Sequence, residues 1–175
     1  MLADLYTFIT DTLMPHTPPL ILIVDDDWMN RELLQAHLAE YKTLGAPNGE
    51  KALEIARTQH PDLILLDLRL PGMSGYEVCA QLRADSQTAS IPVLIISALD
   101  DDTSRQRAID AGIDDFLTRP FDGLTLHTRV RALLRMKALS DELLRREQVL
   151  IEVLRTRLGD DAASATLDAY FNALG

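Results

Sequence analysis

Residues 62–67 read Asp-Leu-Ile-Leu-Leu-Asp, and the next five residues are Leu-Arg-Leu-Pro-Gly. Four consecutive apolar residues between two carboxylates are typical of a short strand that is buried on both faces of a parallel sheet. A helix would need a longer periodic pattern, and Pro71-Gly72 interrupts the chain directly afterwards. The stretch therefore predicts a central strand with Asp67 at its carboxyl end, where ligands collect in open α/β sheets. By itself it equally allows Asp67 to be an ordinary cap of the following loop.

Similar apolar runs occur elsewhere in the chain. Further strands are predicted at residues 20–24, 91–96 and 115–118, with a short peripheral strand at 42–46. Helical patterns lie between and after them, at residues 27–41, 48–60, 74–83, 100–112 and from 122 to about 158. Strands too apolar to be half exposed, alternating with helices, predict an α/β fold with a doubly wound parallel sheet of five strands.

Acidic side chains follow two of the predicted strands at the same edge of the sheet. The strand at 20–24 runs directly into Asp25 and Asp26, and the strand at 62–67 ends in Asp67. Carboxylates that meet in this way repel one another unless a cation lies between them. Carboxylate and carbonyl oxygens suit Mg²⁺ and leave coordination positions for water and phosphate. We therefore expect a magnesium site here rather than simple loop capping.

Composition and charge narrow the class of protein and its partners. The chain has 175 residues, 47% of them hydrophobic, and a formal net charge of -10. Direct binding to nucleic acid or to an anionic membrane needs concentrated Lys and Arg, so protein partners are expected instead. Cys79 is the single cysteine, which excludes an internal disulfide. With no signal peptide and no apolar run of membrane-spanning length, a cytoplasmic location fits best.

Four motifs in register make the assignment more specific. They are Ile21-Leu-Ile-Val-Asp-Asp-Asp27, Leu65-Leu-Asp-Leu-Arg-Leu-Pro-Gly-Met-Ser-Gly75, Ile91-Pro-Val-Leu-Ile-Ile-Ser-Ala98 and Gly112-Ile-Asp-Asp-Phe-Leu-Thr-Arg-Pro-Phe121. In order and spacing they resemble the receiver domain of bacterial two-component response regulators, over about residues 20–139. The resemblance implies a flavodoxin-like sheet with strand order 2-1-3-4-5. It also implies a phospho-accepting signalling domain rather than an enzyme.

The same resemblance implies roles for the acidic residues. Asp67 looks like the phospho-acceptor, which takes a phosphoryl group from a sensor histidine kinase or a phosphotransfer protein. Asp25 and Asp26 look like the acidic pair that binds Mg²⁺. Asp26 and Asp67 would be direct ligands together with the backbone carbonyl of Arg69. A magnesium-dependent phosphohydrolase is the less favoured alternative, because its second acid would be expected at position 69.

Three further residues carry roles that only the resemblance implies. Ser97 is similar to the hydroxyl residue that turns toward the phosphoryl oxygens, and Phe116 to the aromatic residue that swings inward with it. Arg119 stands where the family usually has lysine, and arginine is longer, planar and forked. We expect its guanidinium to pair with Asp25 or Asp67 in the resting state and to oppose Mg²⁺. The bond to Pro120 is expected to be cis. This departure keeps open a pseudo-receiver that binds partners without being phosphorylated.

The two ends of the chain lie outside the resemblance. We expect an N-terminal helical extension and Pro-rich linker at residues 1–19, the receiver at 20–138, and an extended C-terminal helix and tail at 139–175. A leucine stripe that outlasts the receiver predicts a homodimer, although a helix folded back on its own domain is an alternative. The stripe consists of Leu139, Leu143, Leu150, Leu154 and Leu158. Such helices resemble the linkers that join receivers to diguanylate cyclase outputs. The last residues are too few for an output domain, so we expect a stand-alone regulator or a chain cut before its output.

Overall fold

The computed structural model describes residues 18–98, 106–107 and 109–158, without the side chains of residues 154, 157 and 158. Five parallel strands form one sheet in the predicted order β2-β1-β3-β4-β5. The strands are β1 (Leu20–Val24), β2 (Lys42–Ala46), β3 (Leu63–Leu66), β4 (Val93–Ser97) and β5 (Asp115–Thr118). The flavodoxin-like α/β fold predicted from the sequence is therefore confirmed.

Four complete helices accompany the strands in the described part of the chain. They are α1 (Trp28–His37), α2 (Gly49–Gln59), α3 (Gly75–Ala84) and α4 (Gly123–Leu158). Residues 106–107 and 109–110 are also helical, within the helix predicted before Gly112. The N-terminal helix expected at residues 1–19 lies outside the described residues, apart from the last two.

Local sequence signals account for where the helices begin. Asp27, Asn48 and Ser74 are the N-caps of α1, α2 and α3, and each side chain accepts a hydrogen bond from a backbone N–H of the first turn. Ser74 also forms a reciprocal capping box with Glu77. The predicted helix at residues 27–41 is too long. The helix ends at His37, and Tyr41 packs on the core from the loop that follows it.

The core consists of one apolar cluster on each face of the sheet. One cluster joins α2 and α3 to side chains such as Leu22, Ile64 and Ile95. The other joins α1 and the start of α4 to the alternate side chains of the same strands. Because both faces are covered, every residue of β3 and β4 is buried. Burying such aliphatic side chains stabilises the fold by about 1.5–3 kcal/mol each.

The chain divides into two compact units, one ending at Leu134 and one beginning at Arg135, both of which include part of α4. The sheet and the clusters described above belong to the first unit. The domain boundary proposed at residue 138 remains a prediction. Within the described part of the chain, no helix combines the length and the apolar character needed to cross a membrane.

Candidate functional site

The ends of four strands bring the predicted site residues to one edge of the sheet. Asp25 follows β1, Asp67 follows β3, Ser97 is the last residue of β4, and Arg119 follows β5. The register extends past the strands, because the Asp67 N–H donates to the Val24 carbonyl at 2.9 Å. Parallel strands with aligned ends place their following residues side by side, which is why distant sequence positions meet here.

Three carboxylates come together at this edge. Asp25 is buried, Asp67 is half-buried and Asp26 is exposed, and one oxygen from each lies within 4.8 Å of the others. The three side chains offer only hard oxygen donors and all carry the same sign of charge when ionised. Asp26 is on the solvent side of the set. These properties fit Mg²⁺, which binds a few carboxylates and keeps several waters. The acidic cluster predicted from the sequence is therefore assembled in the fold.

Asp25 has partners for both of its carboxylate oxygens. Oδ1 accepts hydrogen bonds from the Asp27 N–H at 2.9 Å and from Asn30 Nδ2 at 3.2 Å. Oδ2 accepts from Arg119 Nη2 at 2.8 Å. Because Asp25 is only 1% exposed, these bonds replace the water that a carboxylate needs. Asp25 is thus held more rigidly than the exposed Asp26.

Arg119 lies between the acidic cluster and an aromatic ring. It forms an ion pair with Asp25, one of the two carboxylates expected as its resting partner, and the arginine side chain is 21% exposed. The guanidinium carbon lies 5.9 Å from the centre of the Phe121 ring, at the outer limit of a cation–π contact. The Arg119 backbone N–H donates to the Ser97 carbonyl at 2.8 Å, and the bond to Pro120 is cis as predicted. An arginine therefore fits at this position and supplies positive charge to Asp25.

The electrostatic environment of Asp67 disfavours its ionised form. Burial is the main cause that raises the pKa of this carboxyl above its ordinary value, and the charge of Asp25 adds to the effect. The Arg69 N–H, which donates to Asp67 Oδ1 at 3.3 Å, and the Arg119 charge act in the opposite direction. A bound cation would relieve this unfavourable environment.

The start of α3 packs directly against the backbone of Asp67. A Cβ atom at Gly75 would lie 2.4 Å from the Asp67 carbonyl oxygen and 2.8 Å from Leu68 Cα. The Gly75 N–H donates to the Leu68 carbonyl at 2.9 Å. Because no side chain fits in this space, glycine is required for α3 to approach the loop that carries Asp67.

Ser97 and Phe116 lie on neighbouring strands. Ser97 is fully buried at the end of β4, where it is in register with Thr118. Phe116, on β5, is half-buried and lines a cavity of about 630 Å³ that also involves Pro120 and Arg129. The cavity leaves space beside the Phe116 ring. The switching roles of both residues remain predictions.

Sequence reasoning missed two residues that contact the acidic pair. Asn30 donates to the Asp25 carboxylate, and Arg31 Nη1 donates to the Asp25 and Asp26 carbonyls at 2.7 and 3.2 Å. The available signal was their position just after the helix start at Trp28. Side chains on a helix lean toward its N-terminus, so long polar residues in the first turns reach the preceding loop.

The fold and the site define a class of protein, a parallel α/β domain with an acidic cluster at the carboxyl ends of its strands. The family of response regulator receiver domains matches residues 21–131. This chain belongs to that family, whose members act in two-component signalling.

Individual relatives agree with this assignment. The chain is 46% identical over 129 residues to the response regulator PleD of Caulobacter vibrioides, a match that covers 73% of this chain and 28% of PleD. It is 45% identical over 119 residues to the regulator RpaA of Synechocystis, covering 67% of this chain and 49% of RpaA. The chain thus spans half or less of the length of these relatives.

A solved structure supports the same fold. The receiver domain of the Francisella response regulator 1452 matches with a TM-score of 0.63 and 32% identity, and the match covers 67% of this chain and 98% of that one. Receiver domains generally bind Mg²⁺ at an acidic pocket, which corresponds to the cluster described above.

Proposed function

We propose that this chain accepts a phosphoryl group on Asp67 from a phosphohistidine of a sensor histidine kinase or a phosphotransfer protein. The observation that carries the proposal is the convergence of Asp25, Asp26 and Asp67, with oxygens inside 4.8 Å, in a chain of the receiver family. The raised pKa of Asp67 adds to it, because perturbed carboxyl groups cluster at functional sites.

The transfer is a displacement at phosphorus. An Asp67 carboxylate oxygen attacks the phosphorus, the bond from phosphorus to the donor imidazole nitrogen breaks, and its electron pair stays on the imidazole. Asp67 becomes an acyl phosphate. Attack by one anion on another is disfavoured, so positioning and positive charge carry most of the catalysis.

The charge would come from Mg²⁺ and from Arg119. Asp26, Asp67 and the Arg69 carbonyl would hold the ion, with Asp25 completing the acidic set. When bound, Mg²⁺ supplies the positive charge that offsets repulsion between the carboxylate and the phosphoryl oxygens. Both carboxylate oxygens of Asp25 already accept hydrogen bonds. Its contribution to Mg²⁺ binding therefore depends on whether the hydrogen bond from Arg119 breaks.

Phosphorylation is proposed to act as a switch through the neighbouring residues. The acyl phosphate adds about one negative charge and three acceptor oxygens at the strand edge. Arg119 can move its hydrogen bonds from Asp25 to the phosphoryl group, and the Ser97 hydroxyl can donate to it. Since the Arg119 N–H is bonded to the Ser97 carbonyl, a shift at either residue is transmitted to β5, which carries Phe116.

An apolar face next to the acidic cluster suits the donor protein. Trp28, Met29 and Leu33 on α1 are exposed, and the exposed fraction of Trp28 reaches 64%. Trp28 and Met29 follow directly after the acidic residues, so a protein that covers them would bring its phosphohistidine close to Asp67. This face is proposed to be where the donor binds.

We also propose a homodimer through the helix from about Leu139 to Leu158, which follows the proposed receiver at 20–138. Leu139, Leu143 and Leu150 are exposed on the second unit, together with Met136 and Val153. Exposed apolar residues at these spacings form the seam of a helical pair. Leu154 and Leu158 lie on α4, but their side chains are not described.

The dimer has a direct test. Truncation after Lys137 is expected to give a monomer in light scattering, as is Leu143→Lys in the full chain. Arg145→Ala is the matched control, because it changes an exposed polar side chain within one helical turn of Leu143, and this variant should remain dimeric. A truncated chain that still dimerises would place the interface on the receiver.

Two further proposals concern partners and location. A chain of net charge -10 is proposed to have no direct contact with nucleic acid or membrane. A cytoplasmic location is also proposed, because a single cysteine fits a reducing compartment. RpaA is described as DNA-binding, but the match covers only 49% of it.

The alternative is a pseudo-receiver that is never phosphorylated. The specific observation in its favour is the Arg119–Asp25 ion pair, which already provides a cation at the buried end of the cluster. A permanent internal cation would leave less need for Mg²⁺ and would keep the site in one state.

Intact-mass measurement separates the two functions. The protein is incubated with acetyl phosphate with and without Mg²⁺, and one added phosphoryl mass that requires Mg²⁺ is expected. Asp67→Asn should show none. Asp62→Asn is the matched control at the opposite end of β3, where the carboxylate accepts the Leu20 N–H, and it should label normally. An unlabelled wild type would select the pseudo-receiver.

A further inference from the structure

Arg31 holds the backbone of both members of the acidic pair. Its Nη1 donates to the Asp25 carbonyl at 2.7 Å and to the Asp26 carbonyl at 3.2 Å. Its own backbone N–H donates to the Asp27 carbonyl at 3.2 Å, at the start of α1. One residue therefore ties three consecutive carbonyls of the loop between β1 and α1 to the helix that follows.

The side chain of Arg31 is also packed against the sheet. A Cβ atom at Gly45 of β2 would lie 3.5 Å from Cδ and Nε of Arg31, so the arginine stem runs across this glycine. Beside it, the Ala46 carbonyl accepts the Asp25 N–H at 3.2 Å. The arginine stem therefore lies beside β2, next to the Asp25 backbone that the guanidinium contacts.

The two acidic residues depend on this contact to different degrees. The Asp25 carboxylate is buried and has three donors of its own, as described above. The Asp26 carboxylate is exposed and accepts no hydrogen bond from any residue that the structure describes. Because no hydrogen bond from a described residue holds its side chain, the positions its oxygens can reach depend on its backbone, and Arg31 bonds to that backbone.

We propose that Arg31 is a positioning residue for the magnesium site of the proposed function. It orients the Asp26 peptide so that the carboxylate faces Asp67, and it does so through carbonyl oxygens, leaving the Asp26 carboxylate oxygens available to the ion. Partners that orient metal ligands in this way usually contribute 10- to 100-fold to metal affinity.

The sign of the effect distinguishes positioning from simple electrostatics. A nearby guanidinium repels Mg²⁺, so loss of its charge alone would tighten binding. Loss of a positioning contact weakens it. Arg31→Gln removes the charge and shortens the side chain, whereas Arg31→Lys retains the charge and part of the reach.

Magnesium titration of the full chain, followed by calorimetry and by fluorescence of Trp28, gives the first test. We expect Arg31→Gln to bind Mg²⁺ about 10-fold more weakly than wild type, and Arg31→Lys to recover part of the loss. Arg57→Gln is the matched control, because Arg57 forms an ion pair with Asp85 away from the cluster, and it should bind as wild type does. Unchanged or tighter binding by Arg31→Gln would overturn the proposal.

A second measurement works without metal and keeps this inference separate from the proposed function. In the metal-free protein, the Asp27 N–H donates to Asp25 Oδ1, so its hydrogen exchange reports the order of the loop. We expect Arg31→Gln to speed exchange at Asp27 while the buried amides of β1 exchange as in wild type. Equal exchange at Asp27 in Arg31→Gln and wild type would refute positioning even if wild type binds Mg²⁺. Faster exchange in Arg31→Gln would support positioning even if wild type binds no Mg²⁺.

Discussion

Replacing Arg119 tests whether this residue competes with Mg²⁺ for Asp25. In the resting protein, Arg119 Nη2 lies 2.8 Å from Asp25 Oδ2, and Asp25 is 1% exposed. A hydrogen bond between charged groups contributes about 1.5–3 kcal/mol. If Asp25 must leave Arg119 to act with Mg²⁺, this free energy opposes metal binding. At 1.4 kcal/mol per tenfold, removing the competitor should tighten Mg²⁺ binding by about 10- to 100-fold.

Replacing Arg119 with methionine should also lower the stability of the metal-free protein. Removing one partner of a buried ion pair leaves an uncompensated carboxylate and typically costs about 3–5 kcal/mol. Mg²⁺ at 100 times the variant's dissociation constant stabilises the folded variant by about 2.7 kcal/mol, whereas wild type, which binds about 10- to 100-fold more weakly, gains about 0.4–1.4 kcal/mol at the same concentration. Arg119→Met is therefore expected to melt well below wild type without Mg²⁺ and to recover part of the difference with it. Arg119→Lys keeps a cation, so we expect a smaller gain in affinity and faster labelling by acetyl phosphate.

The measurement is a Mg²⁺ titration by calorimetry with Trp28 fluorescence as a second signal, together with thermal melts at several Mg²⁺ concentrations. Arg129→Met is the control, because Arg129 also forms an arginine–aspartate ion pair, with Asp115 at the start of β5. The control should lose stability without any gain in Mg²⁺ affinity. If Arg119→Met and Arg119→Lys bind Mg²⁺ no more tightly than wild type, the competition argument is wrong.

Three further outcomes are expected. Asp26→Asn should lose most Mg²⁺ binding in the same titration, since a ligand and a full charge disappear together, and retained affinity would contradict the metal assignment. Asp67→Asn should melt above wild type at pH 7 without Mg²⁺, because a raised folded pKa means that ionised Asp67 destabilises the fold. That advantage should shrink as the pH falls through the folded pKa and vanish well below the unfolded pKa of about 3.9, where Asp67 is protonated in both states, and a pH-independent difference in Tm would refute it. Gly75→Ala should destabilise the protein by about 1–3 kcal/mol in denaturant unfolding, because its Cβ would overlap the Asp67 carbonyl, and a neutral effect would show that α3 shifts freely.

Strand identity could be predicted because it depends on local pattern. The runs at β1 and β3 are apolar throughout and β4 is apolar up to its last residue, Ser97, and such short apolar runs next to turn signals are typical of strands covered on both faces. The caps Asp27, Asn48 and Ser74 were equally local signals. Parallel strands with carboxylates at their ends then led directly to the acidic cluster.

Boundaries and partner choices were less predictable. β4 begins at Val93 rather than at Ile91, since Pro92 has no N–H to offer the sheet. The sequence allowed Arg119 to pair with either Asp25 or Asp67, and the choice depends on where the two carboxylates lie relative to the end of β5.

What the sequence by itself determined is the set of chemical groups at the strand ends: three carboxylates, a serine and an arginine, each placed there by the strand before it. What only the tertiary structure decided is which of these groups bond to one another. The Arg119–Asp25 pair joins residues 94 positions apart, and Arg31, whose stem lies beside Gly45 of β2, donates from α1 to the Asp25 and Asp26 carbonyls. Apolar periodicity is set by neighbouring residues, whereas hydrogen bonds between side chains depend on atomic positions that exist only after the whole sheet has assembled.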